Sequence, residues 1–311
     1  METKSRNFLN KPLVVTLIAL FCCALWGSAT PFIKTGYELC LPERNVASTI
    51  LFAGIRFLFA GILTLIIYSI ARGKLLIPKK TSGGIIVSVS LFQTIIQYIL
   101  FYIGLDNTSG VKGTILSGST AFFAVLISSL IFKQEKLTAK KITACLLGLA
   151  GIVIVNLQGL EFTMNFLGDT FVLLSTASAA TSSVLVRKFS EKEDPVTISG
   201  YQFIFGGAVM IAVGLIFGGR VAFPDIKAVG VLIYLSLLSA AAYSLWGLLL
   251  KYNPVSKVTI FSFMTPVFGV ILSKIMLSGE DSGVSFINLA ITLILVSAGI
   301  ILINYKKAEK K

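Results

Sequence analysis

Apolar residues run along this chain in ten blocks of about 20, each long enough to cross the hydrocarbon core of a bilayer as a helix. Polar residues gather in the short gaps between them. The blocks fall at 13–35, 46–71, 83–105, 111–132, 139–157, 167–187, 196–217, 229–250, 255–276 and 283–305. Residues that break helices mark the gaps: Pro78, Asp106-Asn107, Pro195 and Asn253-Pro254. The pattern predicts an all-α polytopic membrane protein of ten transmembrane helices. The first block ends in TPFIK rather than at a small-residue cleavage site and is too long for a signal core, so it reads as a retained span.

Charge gives the spans a direction. Lys and Arg crowd the tails and the even-numbered gaps, as in Lys79-Lys80, Lys140-Lys141 and Arg187-Lys188. The odd-numbered gaps and their borders hold only Lys34, Arg44, Lys112, Arg220, Lys227 and Lys274. An even number of spans puts both termini on one side. The excess of positive charge makes that side the cytoplasm, in a bacterial-type cytoplasmic membrane.

Composition agrees. Hydrophobic residues make up 55% of the chain and charged residues 13%, against about 25% charged in soluble domains. Mean hydropathy is +0.89. The formal charge of +13 follows the gaps and forms no basic helix with interleaved aromatics, which argues against nucleic acid as a partner. Cys22, Cys23 and Cys145 lie inside spans and Cys40 stands alone, so the cysteines make no disulfide framework.

The chain also repeats itself at an offset of about 145 residues. AGIRFLFAG (Ala53–Gly61) echoes SGYQFIFGG (Ser199–Gly207), Tyr98 falls on Tyr243, and AGIVIVN ending at Asn156 echoes AGIILIN ending at Asn304. Lys112, Thr120, Phe123, Val125, Ser128 and Glu135 fall on Lys257, Thr265, Phe268, Val270, Ser273 and Glu280. The division is a cytoplasmic tail 1–12, repeat 1 at 13–157 (spans 1–5), repeat 2 at 158–305 (spans 6–10) and a basic cytoplasmic tail 306–311. Five spans is an odd number, so the second repeat is inverted relative to the first. Inverted repeats are a recurrent transporter plan, with the substrate site near the midplane where the repeats meet. A duplicated scaffold with another job is the alternative.

Several motifs resemble those of the drug/metabolite transporter superfamily, in its ten-span branch with tandem EamA domains. They are ALWGSATPFIK at the end of span 1, Arg56-Phe57 in span 2, IFKQEKLT with Glu135 after span 4, and TPVFG…LSGE from Thr265 to Glu280. The resemblance implies export of amino acids or related metabolites, and of drugs in some members, through a cavity lined by spans 1, 3, 4, 6, 8 and 9. The chain departs from the pattern at Ala121, where span 9 keeps Pro266.

Helical spacing places candidate pathway residues independently. Gln93 and Gln97 share a stripe of span 3, Ser117 stands on a small-residue stripe of span 4 and Thr120 follows it, Tyr243 and Trp246 cluster in span 8, and Ser262 and Pro266 share a face of span 9. Small-residue faces also serve close helix packing, but buried amides are costly without partners and favour a polar cavity at Gln93 and Gln97. Trp26 and Trp246 suit either interface aromatics or cavity walls. Pro266 frees the carbonyl of Ser262, which fits a hinge or a static kink. Arg56 is the one charge deep in a span; its insertion costs about 2.5–3.5 kcal/mol, and it fits an anchor or a pathway residue.

No span core holds Asp or Glu and the chain has no histidine, so a facilitator, exchanger or weakly coupled carrier fits better than a proton pump. No phosphate-cradling motif, cofactor site or metal ligand set is present, which sets aside ATP drive and most enzyme chemistry. The expected partners are membrane lipid and a small solute, an amino acid or metabolite that is zwitterionic or uncharged. A receptor or scaffold, an intramembrane enzyme and a channel are the rival classes.

Overall fold

The computed structural model describes residues 8–108, 110–157, 165–276 and 285–304. Glu280, the start of the last predicted span and the ends of both tails lie outside them. Every regular element among the described residues is helical. We number the spans α1 Pro12–Cys40, α2 Val46–Arg72, α3 Lys80–Asp106, α4 Lys112–Ile131, α5 Ala139–Val155, α6 Phe166–Phe189, α7 Pro195–Ile216, α8 Ile226–Tyr252, α9 Val255–Leu272 and α10 Phe286–Asn304. All but α5 are at least 18 residues long and apolar enough to cross a membrane. α5 runs 17 residues, about 25 Å at 1.5 Å per residue. The main difference from the predicted bounds is in α1, which continues to Cys40 with Pro31 inside it.

Caps set the helix starts where the sequence offers a short polar side chain. Asn45, Thr138, Asn165, Asp194 and Asp225 each accept from a backbone N–H in the first turn. Gly73 ends α2 in the left-handed region at φ 63°, which glycine enters without strain. The apolar stripes face outward: Leu13, Leu17 and Phe21 on α1 and Ile287, Ile291 and Ile294 on α10 are exposed. Ser90, Thr94, Gln202 and Ser236 are buried. Exposed apolar stripes around a core that holds polar side chains are what lipid as solvent demands.

The pairing of helices carries the inverted repeat into three dimensions. Two pairs of equivalent helices pack on each other, α2 on α7 and α5 on α10. The other contacts come in matched sets: α1 with α8 and α9 mirrors α6 with α3 and α4, and α2 with α8 mirrors α7 with α3. That is the contact pattern of a pseudo-two-fold axis between the repeats. Across α2 and α7, which run antiparallel, Gly54 meets Gly207 and Gly61 meets Gly200; a Cβ on Gly207 would lie 2.5 Å from the Leu58 nitrogen and one on Gly61 2.6 Å from the Gly200 oxygen. Glycine is what allows the two backbones to approach so closely. In α5 and α10, Gly151 faces Thr292 and Gly299 faces Ala144, and the Thr292 hydroxyl donates to the Gly151 carbonyl at 2.8 Å.

Three helices change their winding. α3 passes through a π-helical stretch at Leu91–Ile96, α4 ends in another at Ile127–Ile131, and α9 tightens to a 3-10 turn at Ile260–Phe263. Such segments often accompany functional sites.

Candidate functional site

Residues that sit on a two-fold axis meet their own equivalents, and here those residues are aromatic. Phe57 of α2 stacks on Phe203 of α7, with centroids 5.2 Å apart and planes within 9°. Beside them the hydroxyls of Tyr98 on α3 and Tyr243 on α8 hydrogen-bond at 2.8 Å. Tyr243 packs edge-on to Phe203 at 5.0 Å and to Trp26 of α1 at 5.2 Å. Trp26 in turn meets Trp246 at 5.0 Å. The two tryptophans belong to one ring cluster, and the Trp26 indole N–H has no partner among the described residues.

Arg56 enters the same cluster from α2. It is 5% exposed and lies ten residues from the start of the helix, about 15 Å at helical rise. Its guanidinium sits over the Phe57 ring at 4.3 Å and 5.8 Å from the centre of the Tyr98 ring. The hydroxyls of Tyr37, Tyr98, Tyr102 and Tyr243 all lie within its electrostatic reach. Its Nε has no hydrogen-bond partner among the described residues.

The other candidates are more dispersed. Gln93 is buried in the π-helical stretch of α3 and its side-chain carbonyl is unpaired among the described residues; Gln97 begins the helical segment that follows. The Ser117 carbonyl accepts from the Thr120 hydroxyl at 2.7 Å, and the Ser262 hydroxyl donates to the Thr259 carbonyl at 2.7 Å. Pro266 is the third residue after the 3-10 turn of α9, so the change of winding falls where the proline removes a backbone bond. Among the described residues no ring contact or hydrogen bond ties Gln93, Gln97, Ser117, Thr120, Ser262 or Pro266 to the aromatic cluster. Sequence reasoning placed Trp26, Tyr243, Trp246 and Arg56, and it missed Phe57, Tyr98, Tyr102, Phe203 and Tyr37 as members of the cluster. The signal for three of these was in hand: Tyr98 aligns with Tyr243 and Phe57 with Phe203, and a two-fold axis brings such pairs together.

The end of the bundle that carries the even-numbered gaps is fastened by polar contacts. After α4, Glu135 accepts from the Ser256 amide at 3.0 Å and from the Ser256 hydroxyl at the start of α9, and pairs with Lys141 at 2.7 Å. Burial pushes the Glu135 carboxyl up, but Lys141 and the two Ser256 donors outweigh it and hold the group below its ordinary value. Glu193, between α6 and α7, accepts from the Lys79 amide at 2.8 Å and the Ser82 hydroxyl at 2.6 Å. Arg72 pairs with Asp194 at 3.0 Å, and Arg187 donates to the Leu250 carbonyl at 3.1 Å. At the opposite end, Asp169 joins α6 to Lys112 and Thr108, at 2.9 and 2.6 Å, while the Ala222 amide donates to the Cys40 carbonyl at 2.8 Å.

Inverted five-helix repeats that meet at a buried, partly polar cluster are a plan shared by many polytopic solute transporters. Two successive matches to the model of the EamA-like transporter family, over residues 13–157 and 166–305, place this chain in that family. It is 28% identical to the uncharacterized transporter sll0355 of Synechocystis sp., over all of this chain and 95% of that one. It is 26% identical to a chloroplastic WAT1-related protein of Arabidopsis thaliana, over 91% and 68%, and 25% identical to the uncharacterized transporter YvbV of Bacillus subtilis, over 95% and 93%. A solved crystal structure, 19% identical, superposes with a TM-score of 0.74 over 93% of this chain and 96% of that one. At that identity the likeness speaks for the fold alone. The chain is thus a transporter rather than an enzyme.

Proposed function

We propose that the protein is a secondary transporter or facilitator that exports amino acids or related small metabolites across the cytoplasmic membrane by alternating access. The observation that carries this is the interior cluster on the pseudo-two-fold axis: aromatic walls, phenol hydroxyls and one cation, set where the repeats meet. Such a surface suits a small solute with one polar or charged group, and among the described residues it holds no second cation of the kind a polyanion would need. At the end that carries the even-numbered gaps, Glu135 and Ser256 bridge α4 and α9, a contact that must break for the bundle to open on that side. With both termini cytoplasmic, that side is the cytoplasm. Pro266, next to the 3-10 turn of α9, supplies a hinge for opening it.

The test is flux in proteoliposomes against a panel of L-amino acids and small metabolites. Cells that overproduce the protein are scored in parallel for tolerance to the same compounds. The parent is expected to move at least one of them. Pro266→Ala, which restores the missing backbone bond, should slow that flux while substrate affinity changes less than tenfold and the melting temperature is equal or higher. An unchanged rate and access equilibrium in Pro266→Ala would refute the hinge, and absence of solute flux in the parent would favour a receptor or scaffold.

A further inference from the structure

The two repeats provide an internal control for Arg56. Its equivalent in α7 is Gln202, and the backbone of each does the same work. The Ser236 hydroxyl of α8 donates to the Arg56 carbonyl at 3.1 Å, and the Ser90 hydroxyl of α3, the equivalent of Ser236, donates to the Gln202 carbonyl at 2.9 Å. Gly54 and Gly61 flank Arg56 as Gly200 and Gly207 flank Gln202, with the same close approach. The packing of the repeat is therefore met with a neutral side chain, and the positive charge is surplus to it. The side chains diverge in charge: the Gln202 side-chain oxygen accepts from the Thr94 hydroxyl at 2.7 Å while its amide nitrogen, like Arg56 Nε, is unpaired among the described residues, and no ion pair among the described residues reaches Arg56.

A buried cation without a counter-ion is costly. The cation–π contact with Phe57 offsets only part of the cost of holding it in a span. A glutamine would fill the same position without that cost, as it does in the other repeat. The charge makes sense when an anion from outside the chain completes it.

We propose that Arg56 is the receptor for the carboxylate of the transported solute, which makes the substrate a small organic acid or zwitterion with a single carboxylate. This deepens the transport reading above and rests on it. A guanidinium forks a carboxylate with two parallel N–H donors, and with Nε unpaired such a fork is available here. Tyr98 and Tyr243 border it, and Trp26 presents a second unpaired donor from the far side of Tyr243. Among the described residues of the cluster no second cation stands beside Arg56, which matches one negative charge. The half-buried rings of Trp26 and Tyr243 offer faces and edges for the remainder of the solute, an ammonium group included.

The experiment compares purified full-length protein with Arg56→Gln, which copies the other repeat, and with Arg56→Lys. Ligands are L-amino acids, 2-hydroxy acids and 2-oxo acids, each beside its neutral amide, scored by shift of the melting temperature and by flux in proteoliposomes. The parent should prefer at least one free acid over its amide at least tenfold. Arg56→Gln should lose that preference with an equal or higher melting temperature when no ligand is present, and Arg56→Lys should keep part of it. A parent that moves amides as well as acids, or an Arg56→Gln protein that keeps the preference, overturns the carboxylate site and leaves the transport reading standing. A parent that is shifted by acids but moves no solute retains the site and overturns the transport reading; a parent neither shifted nor transporting overturns both. If Arg56→Gln and Arg56→Met both fail to give monodisperse protein, the residue serves the fold and the proposal falls.

Discussion

Glu135 shows what a single side chain does at the fastened end. It satisfies the amide and hydroxyl of Ser256, which opens α9, and neutralises Lys141, which opens α5. Hydrogen bonds to a charged group contribute about 1.5–3 kcal/mol each, so Glu135→Gln should lower the melting temperature at pH 7. The folded pKa lies below the ordinary glutamate value, near about 4.3 in model peptides. The stabilisation is therefore present above that value and is lost as the pH falls through the lower folded one. Melting curves of parent and Glu135→Gln from pH 7 to pH 3 should converge in acid. A gap that is constant with pH would mean that shape, and not charge, sets the effect. The residue motif around Glu135 was legible in the sequence, but its partner Ser256 was not, because the two are far apart along the chain and the sequence gives no contact between gaps.

At the scale of elements, α2 and α7 form the tightest pair and depend on glycine. A methyl group on Gly207 would press on backbone of α2, 2.5 Å from the Leu58 nitrogen, so relief requires the helices to part. Gly207→Ala is expected to destabilise the protein by about 1–3 kcal/mol, the cost of overpacking a well-filled interface. Gly230, in α8 with open space around its Cα, is the control: Gly230→Ala should be neutral or stabilising by up to about 1 kcal/mol. Thermal melts of the two variants decide it, and equal effects would refute the close-contact account. The span pattern itself was readable because lipid imposes it: a 20-residue apolar block is close to unmistakable. The winding of α3 and α4 was not, because their π-helical stretches arise from packing against neighbours that the sequence does not name, whereas Pro266 marked the irregular part of α9.

For the whole molecule, the inverted repeat and the charge distribution predict one orientation. In a background with Cys22, Cys23, Cys40 and Cys145 replaced, a cysteine at Lys140 should resist an impermeant thiol reagent added to intact cells, and one at Arg220 should react. Labelling at 140 without labelling at 220 would reverse the orientation. The duplication was visible in the sequence as ordered identities, and it carried more than topology: aligned Tyr98 and Tyr243 proved to be touching. Arg56 was visible too, but the absence of a partner is a property of three dimensions. Neither Tyr37 nor Tyr102 had a repeat signal to give it away.

The contact of Glu135 with Ser256 has a kinetic meaning. In a carrier with no energy source, the ratio of maximal rate to half-saturation must be equal in the two directions, because no net flow is allowed at equal concentrations. A latch that favoured a state closed at the basic end could therefore not rectify flow. It would shift the two half-saturation concentrations apart, and the two maximal rates would follow in the same proportion. Loosening Glu135 should move those constants toward each other while their ratios stay locked, and any lasting asymmetry in that ratio would be the signature of a coupled ion.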